Sequence, residues 1–165
     1  RGNRMVKKIA TGCFISGILL GCTFFAQPEK MPKPEPEAEA VWKYISDVHP
    51  FEKWAFWSDH QGTYNSKGPH APKHKIYVNK QALDSKKPPL QNGSMVVKYN
   101  LSPADEVKAV TIMYKVKGYN PAAGDWFWAQ YSPTGEVQDA GKQSCIACHS
   151  NKADNDYILV HEFDK

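Results

Sequence analysis

Val107–Lys117, VKAVTIMYKVK, is the stretch that decides the fold. Val110, Ile112, Tyr114 and Val116 fall on one side of it, and Ala109, Thr111, Met113 and Lys115 on the other. A period of two belongs to a strand, because successive side chains leave opposite faces of the chain. Four further runs have the same β-branched and aromatic character: His74–Asn79 (HKIYVN), Ser94–Asn100 (SMVVKYN), Asp125–Ser132 (DWFWAQYS) and Asp156–Phe163 (DYILVHEF). Turn signals divide them: Pro88-Pro89, Asn92-Gly93, Ser102-Pro103, the stretch from Gly118 to Gly124, and Pro133 with Gly135. Connections this short join antiparallel neighbours, since parallel ones need a crossover of a dozen residues or more. The expectation is a mainly β body, an antiparallel sheet with a few short helices.

Upstream, AEAVWKYI predicts a short helix with Val41, Tyr44 and Ile45 on one face. KQALDSK predicts one or two helical turns, and SDHQGTYNSKGPHAPKH (58–74) reads as a loop from its glycines and prolines. Pro28–Ala40, PEKMPKPEPEAEA, is rich in Pro and Glu and reads as a semi-extended tether. No internal repeat is visible.

The formal net charge of +4 misleads. Four of the 21 basic residues lie in the first 21 positions, which hold no acid, leaving 17 basic against 17 acidic residues. A neutral body gives no support to a nucleic-acid partner. Met5, Lys7 and Lys8, the apolar run Ile9–Leu20 and then Leu19-Leu20-Gly21-Cys22 read as an export signal. Its end resembles a bacterial lipobox, which makes Cys22 the candidate lipidation site. Soluble export after cleavage and an uncleaved anchor are the alternatives. All three put the body outside the cytoplasm, in the periplasm. Residues 1–22 are thus assigned to the signal, 23–40 to the tether and 41–165 to the folded domain.

Cys13 and Cys22 belong to that leader, so the body retains Cys145 and Cys148 alone, in Cys145-Ile146-Ala147-Cys148-His149 near the C-terminus. A disulfide over two residues closes a loop too small to stabilise much, so the pair reads as chemistry. Three readings compete. A thioredoxin-like dithiol needs a helix start in a βαβ setting, which the strand order does not provide. A zinc site needs two more ligands. His70 and His74 have i, i+4 spacing, but Pro72 stands between them. The haem reading uses every residue: the two thiols take up the two vinyl groups as thioethers, and the adjacent imidazole goes to the iron. One motif predicts one covalent haem c, attached on the far side of the membrane that the leader points across.

Most c-type cytochromes are helical with the motif near the N-terminus. Here it follows a β-rich body, and the chain resembles cytochrome P-460 and its relative cytochrome c′-beta. The resemblance runs from about Trp42 to Phe163. It rests on GPHAPKHKIYVN, NGSMVVKYN, GYNPAAGDWFWAQY and CIACHSNKADNDYILV, in family order and spacing. It implies an exported mono-haem protein of antiparallel β fold, a homodimer, with Cys145, Cys148 and His149 as attachment pair and proximal ligand. Lys98 then matches the lysine that carries an extra bond to the haem macrocycle in cytochrome P-460 proper. Relatives also keep that lysine without the bond, and the unbonded form is expected here. His70 falls where relatives place a residue over the open haem face, as a hydrogen-bond donor to a bound ligand or as a sixth ligand. The resemblance departs at one point. Cytochrome P-460 oxidises hydroxylamine with a carboxylate on the strand that here reads KAVTIMYKVK, which has no Asp or Glu. His70, or a residue from elsewhere, would have to act as base.

Met95 and Met113 are further candidate sixth ligands, although strand methionines usually fill core. His161 reads as a surface or packed histidine, and Trp42, Trp54, Trp57, Trp126 and Trp128 as core and haem-pocket walls. The expected function is binding of small gaseous or N-oxide ligands, with nitric oxide and carbon monoxide as the examples, at an open haem face. Redox conversion of hydroxylamine or nitric oxide is its extension. The alternative is an electron carrier with iron closed by His149 and His70, serving a redox partner protein.

Overall fold

A computed structural model describes residues 32–163, apart from 67, 69 and 142. The export signal with Cys22, and the tether up to residue 31, lie outside the described residues. Among the described residues six strands form one sheet in chain order: β1 Thr63–Asn65, β2 Lys73–Val78, β3 Met95–Leu101, β4 Val107–Lys115, β5 Trp126–Tyr131 and β6 Val137–Ala140. Every neighbouring pair is antiparallel. Among the described residues three short α-helices accompany the sheet: α1 Ala38–Lys43, which runs on as a π-helical turn over Tyr44–Val48, α2 Lys80–Asp84 and α3 Gln143–His149. The mainly β, antiparallel architecture expected from period-two runs is therefore present. Among the described residues no helix is long and apolar enough to cross a membrane.

The alternation in β4 explains why the sheet has two covered faces. Val110, Ile112 and Tyr114 join Tyr77, Met95, Val97, Phe127 and Tyr131 in a core roofed by α1, Phe51 and Trp54. Each fully buried aliphatic residue there, Val97 or Ile112 for example, contributes about 1.5–3 kcal/mol of transfer free energy. The roof is also hydrogen-bonded: Tyr131 Oη donates to the Ala38 carbonyl at 2.8 Å, and Tyr114 Oη to that of Pro34 at 3.0 Å. Pro34 and Ala38, from the Pro/Glu-rich stretch, thus hold to the sheet, and α1 starts at Ala38, where AEAVWKYI is expected to be helical. Gly135 is needed where Trp42 lies against it: a Cβ there would meet the indole at 2.1 Å, with φ at +95°. On the opposite face Ile76, Val96, Met113, Trp126 and Trp128 pack with Trp57, Leu90, Ile158 and Phe163.

Two edge strands escaped the sequence reading. Three-residue β1 sits within the stretch read as loop, and four-residue β6 is too short for a period to register. One expected strand is absent. Residues 156–163 form turns and bends because their carbonyls are taken by side chains. Trp126 Nε1 donates to the Asp156 carbonyl at 3.0 Å, and Asn155 Nδ2 to those of Ile158 at 2.8 Å and His161 at 2.6 Å. Asp156 and Tyr157 both take left-handed backbone conformations, φ +53° and +66°, which no strand accommodates. The apolar residues of this segment are buried one by one, as Ile158 and Phe163, without a ladder.

Candidate functional site

Gln143–His149 holds no glycine or proline and forms α3. Cys145, Cys148 and His149 stand at i, i+3 and i+4, so a helix sets all three on one side. That side borders a cavity of about 550 Å³ whose other walls come from β2–β6, the β1–β2 connection and the 158–160 segment. The sheet contributes Val96, Lys98, Thr111, Met113 and Trp128, so its wall is largely apolar and aromatic. His70 lies at the β1–β2 end of the same cavity. Cys145, Cys148, His149, Lys98 and His70, all singled out from the sequence, therefore line one space, while Cys22 is outside the described residues.

Strand register explains Lys98. Ile76, Lys98, Thr111, Gln130 and Asp139 are paired across β2 to β6 in one row, and all five line the cavity. Burial pushes the Lys98 amine down to about 8, against the opposing influence of Cys145 and Cys148. The same register separates the two methionines. Met113 lines the cavity, whereas Met95 packs beneath α1 on the other face and is excluded as an iron ligand.

His149 is partly buried, and its Nδ1 lies 2.7 Å from the Tyr157 carbonyl. A carbonyl only accepts, so Nδ1 carries the proton and Nε2 keeps its lone pair. Burial holds the imidazole below its ordinary value and the Lys98 charge adds to this, while the hydrogen bond opposes both. His70 is shifted in the same direction by partial burial and then by Lys98 and His149; its exposure at the cavity mouth lets solvent moderate the effect.

Several participants were missed by the sequence reading. His74 was weighed only as half of a zinc pair, yet it is 4% exposed, lines the cavity and has no hydrogen-bond partner for Nε2 among the described residues. Burial, then Lys98 and His70, push it down to about 4. Tyr64 Oη and Trp128 Nε1 are also buried at the cavity without a hydrogen-bond partner among the described residues. Asp139 is the one carboxylate on the cavity among the described residues. Its position became legible only once β6 was seen to continue the row from Lys98. His161, by contrast, lies off the cavity, stacked on Trp57 at 4.6 Å and bonded to Asp59 at 2.8 Å. Among the described residues no three His, Cys, Asp or Glu side chains converge to hold a metal ion by themselves, which leaves the zinc reading without a ligand set.

His74 gives a testable pH dependence. Between about 4 and the ordinary value of 6.5 the unfolded chain binds a proton that the folded chain refuses. Stability therefore rises with pH across that window and is lost as pH falls through it. Urea melts from pH 7 to 4 are expected to show this decline, and His74→Gln to make it shallower, with His70 and His149 supplying the remainder; an equal slope in the variant would contradict the assignment.

A search of curated proteins returns no match for the chain. The family model described as cytochrome P460 matches residues 48–160, a span that begins just before Phe51 and takes in all six strands, α3 and the carbonyl that holds His149. With that match over most of its length, the chain belongs to the cytochrome P460 family and is a c-type haem protein.

Proposed function

We propose that the protein carries one haem, bonded through Cys145 and Cys148 with His149 on the iron, and binds small uncharged ligands such as nitric oxide or carbon monoxide opposite His149. The observation that carries this reading is the shared cavity: the α3 triplet borders one side, and Val96, Met113 and Trp128 border the sheet side. The residues fit the group. His149 already has its proton on Nδ1, leaving Nε2 as a donor for iron. Aromatic and aliphatic walls suit a large apolar ring, and the unpartnered Trp128 Nε1, His74 Nε2 and Tyr64 Oη suit its polar edge or ligand. Bound haem would supply an iron able to take diatomic ligands and exchange electrons.

The chain's own residues then set selectivity. The apolar residues of the wall favour small apolar ligands over water, and His74, held neutral at pH 7, offers a hydrogen bond without a charge. Lys98, with its lowered amine, is partly neutral near pH 8, the state in which an amine is nucleophilic. Conversion of hydroxylamine or nitric oxide is the extension of this reading; a proton acceptor for it would come from His70 or Asp139, since β4 carries no carboxylate. The leader supports an exported, periplasmic protein tethered through Cys22, and the family resemblance supports a homodimer.

The second reading, an electron carrier closed by His70, is favoured by the place of His70 on the same cavity, with its imidazole held in the neutral form that ligates metals. Visible spectra of the reduced protein separate the two. A high-spin band that shifts fully with carbon monoxide is the expected result; a sharp low-spin α band indifferent to carbon monoxide would establish the carrier. In Lys98→Met an unchanged Soret band is expected, and loss of a red-shifted, broadened band would instead establish the macrocycle bond.

A further inference from the structure

The Tyr157 carbonyl that holds His149 is in place because two consecutive non-glycine residues, Asp156 and Tyr157, adopt left-handed backbone conformations. Such residues persist only where their surroundings over-determine them. The surroundings here converge on Asp156. Its carboxylate accepts from Lys115 Nζ at 2.6 and 2.8 Å, from the Leu90 amide at 2.7 Å and from Trp126 Nε1 at 3.3 Å. Its own carbonyl accepts from the same Trp126 nitrogen at 3.0 Å. Lys115 closes the cluster, donating to the Gly124 carbonyl at 2.8 Å and lying 4.8 Å over the Trp126 ring. Gly124 in turn accommodates the Tyr157 ring, where a Cβ would approach within 2.8 Å.

Neither member of the buried pair borders the cavity. We infer that Lys115 and Asp156 are positioning residues for His149: by locking the 156–157 turn between β4 and β5 they aim the Tyr157 carbonyl at Nδ1, fixing the imidazole's tautomer and orientation and strengthening Nε2 as a donor. This rests on the reading of His149 as the iron ligand. The second partner of a metal-binding histidine commonly governs its basicity and ring orientation, and its loss weakens the site by roughly 10- to 100-fold. Here that partner is a backbone carbonyl, which no substitution removes directly, so the pair that places it becomes the adjustable element.

The test uses the haem-loaded full chain. Asp156→Asn is compared with Val97→Ala, a cavity-forming change beneath α1 on the other face of the sheet that lowers stability without reaching the turn. The iron–histidine stretching band of the reduced protein, its reduction potential and the rate at which excess nitric oxide displaces the histidine are measured. In Asp156→Asn the band is expected to move to lower frequency, the potential to rise and displacement to speed up about 10-fold or more. Val97→Ala is expected to leave all three unchanged. Should Asp156→Asn fail to accumulate, Lys115→Arg, which keeps both charges but alters the pair's geometry, is read in the same way. Loaded variants whose band, potential and displacement rate match those of Val97→Ala overturn the inference while leaving the haem reading intact. A wild-type chain without covalent haem overturns both.

Discussion

Replacing Cys145 and Cys148 together with alanine is expected to yield an exported chain with no haem that survives denaturation. Thioether bonds are the sole covalent link available on α3, and alanine keeps the helix, so the loss is chemical and not conformational. Each single variant retains one sulfur and is expected to keep part of the haem through one bond, with the double variant reaching zero. Haem staining after denaturing electrophoresis reads the series directly, and far-ultraviolet circular dichroism checks that the sheet remains. The cavity of about 550 Å³ lies within the usual range for a ligand-sized pocket, so loosely held haem could remain in the native double variant; only the denatured measurement separates the two. Denaturation-resistant haem in the double variant would move the attachment to another residue, with Lys98 the first to examine.

The largest effect on stability is expected from Lys115→Met. Lys115 and Asp156 are nearly inaccessible, with side-chain exposures of 11% and 5%. Their contribution comes less from attraction than from what remains when one is removed: a carboxylate held by Leu90 and Trp126 donors but stripped of its counter-charge. Breaking a buried pair from one side costs about 3–5 kcal/mol. Replacing both partners by apolar residues, Lys115→Met with Asp156→Leu, is expected to recover much of that loss, because no charge is then stranded. Denaturant midpoints at constant slope measure both changes. The double variant dissociates two roles of the pair: stability returns, while the turn that aims the Tyr157 carbonyl loses its anchor and the iron–histidine band stays shifted. Equal stability of Lys115→Met and wild type would contradict the burial on which this rests.

How far the sequence carried depends on the kind of information each residue holds. The strands β2 to β5 were legible because both sides of each are buried or nearly so, which leaves a clear apolar or alternating signal, as in Val110, Ile112 and Tyr114 against Thr111 and Met113. Edge strands carry half that signal, and β1 and β6, with three and four residues, carry almost none. DYILVHEF shows the opposite failure. Its composition is strand-like, but Asn155, Trp126 and His149 claim its carbonyls, and side-chain competition of this kind is invisible to periodicity. Cys145, Cys148 and His149 stood out as chemistry because their spacing is the one that the proposed haem attachment requires. Lys98 and His70 came from the family resemblance, and register then placed them on the same wall. Asp139, Tyr64 and the role of His74 required the sheet itself, because only pairing across strands brings residues 64 and 139 to one cavity.

The central claim is that iron porphyrin is bonded to this polypeptide at its own cysteines. The most direct measurement is the intact mass of the exported wild-type protein after extraction with acidified acetone, alongside its spectrum in alkaline pyridine. The account predicts a chain heavier by one haem, with colour that stays with the protein and a spectrum typical of two thioether links. A chain of unmodified mass, with all colour passing into the solvent, would contradict it.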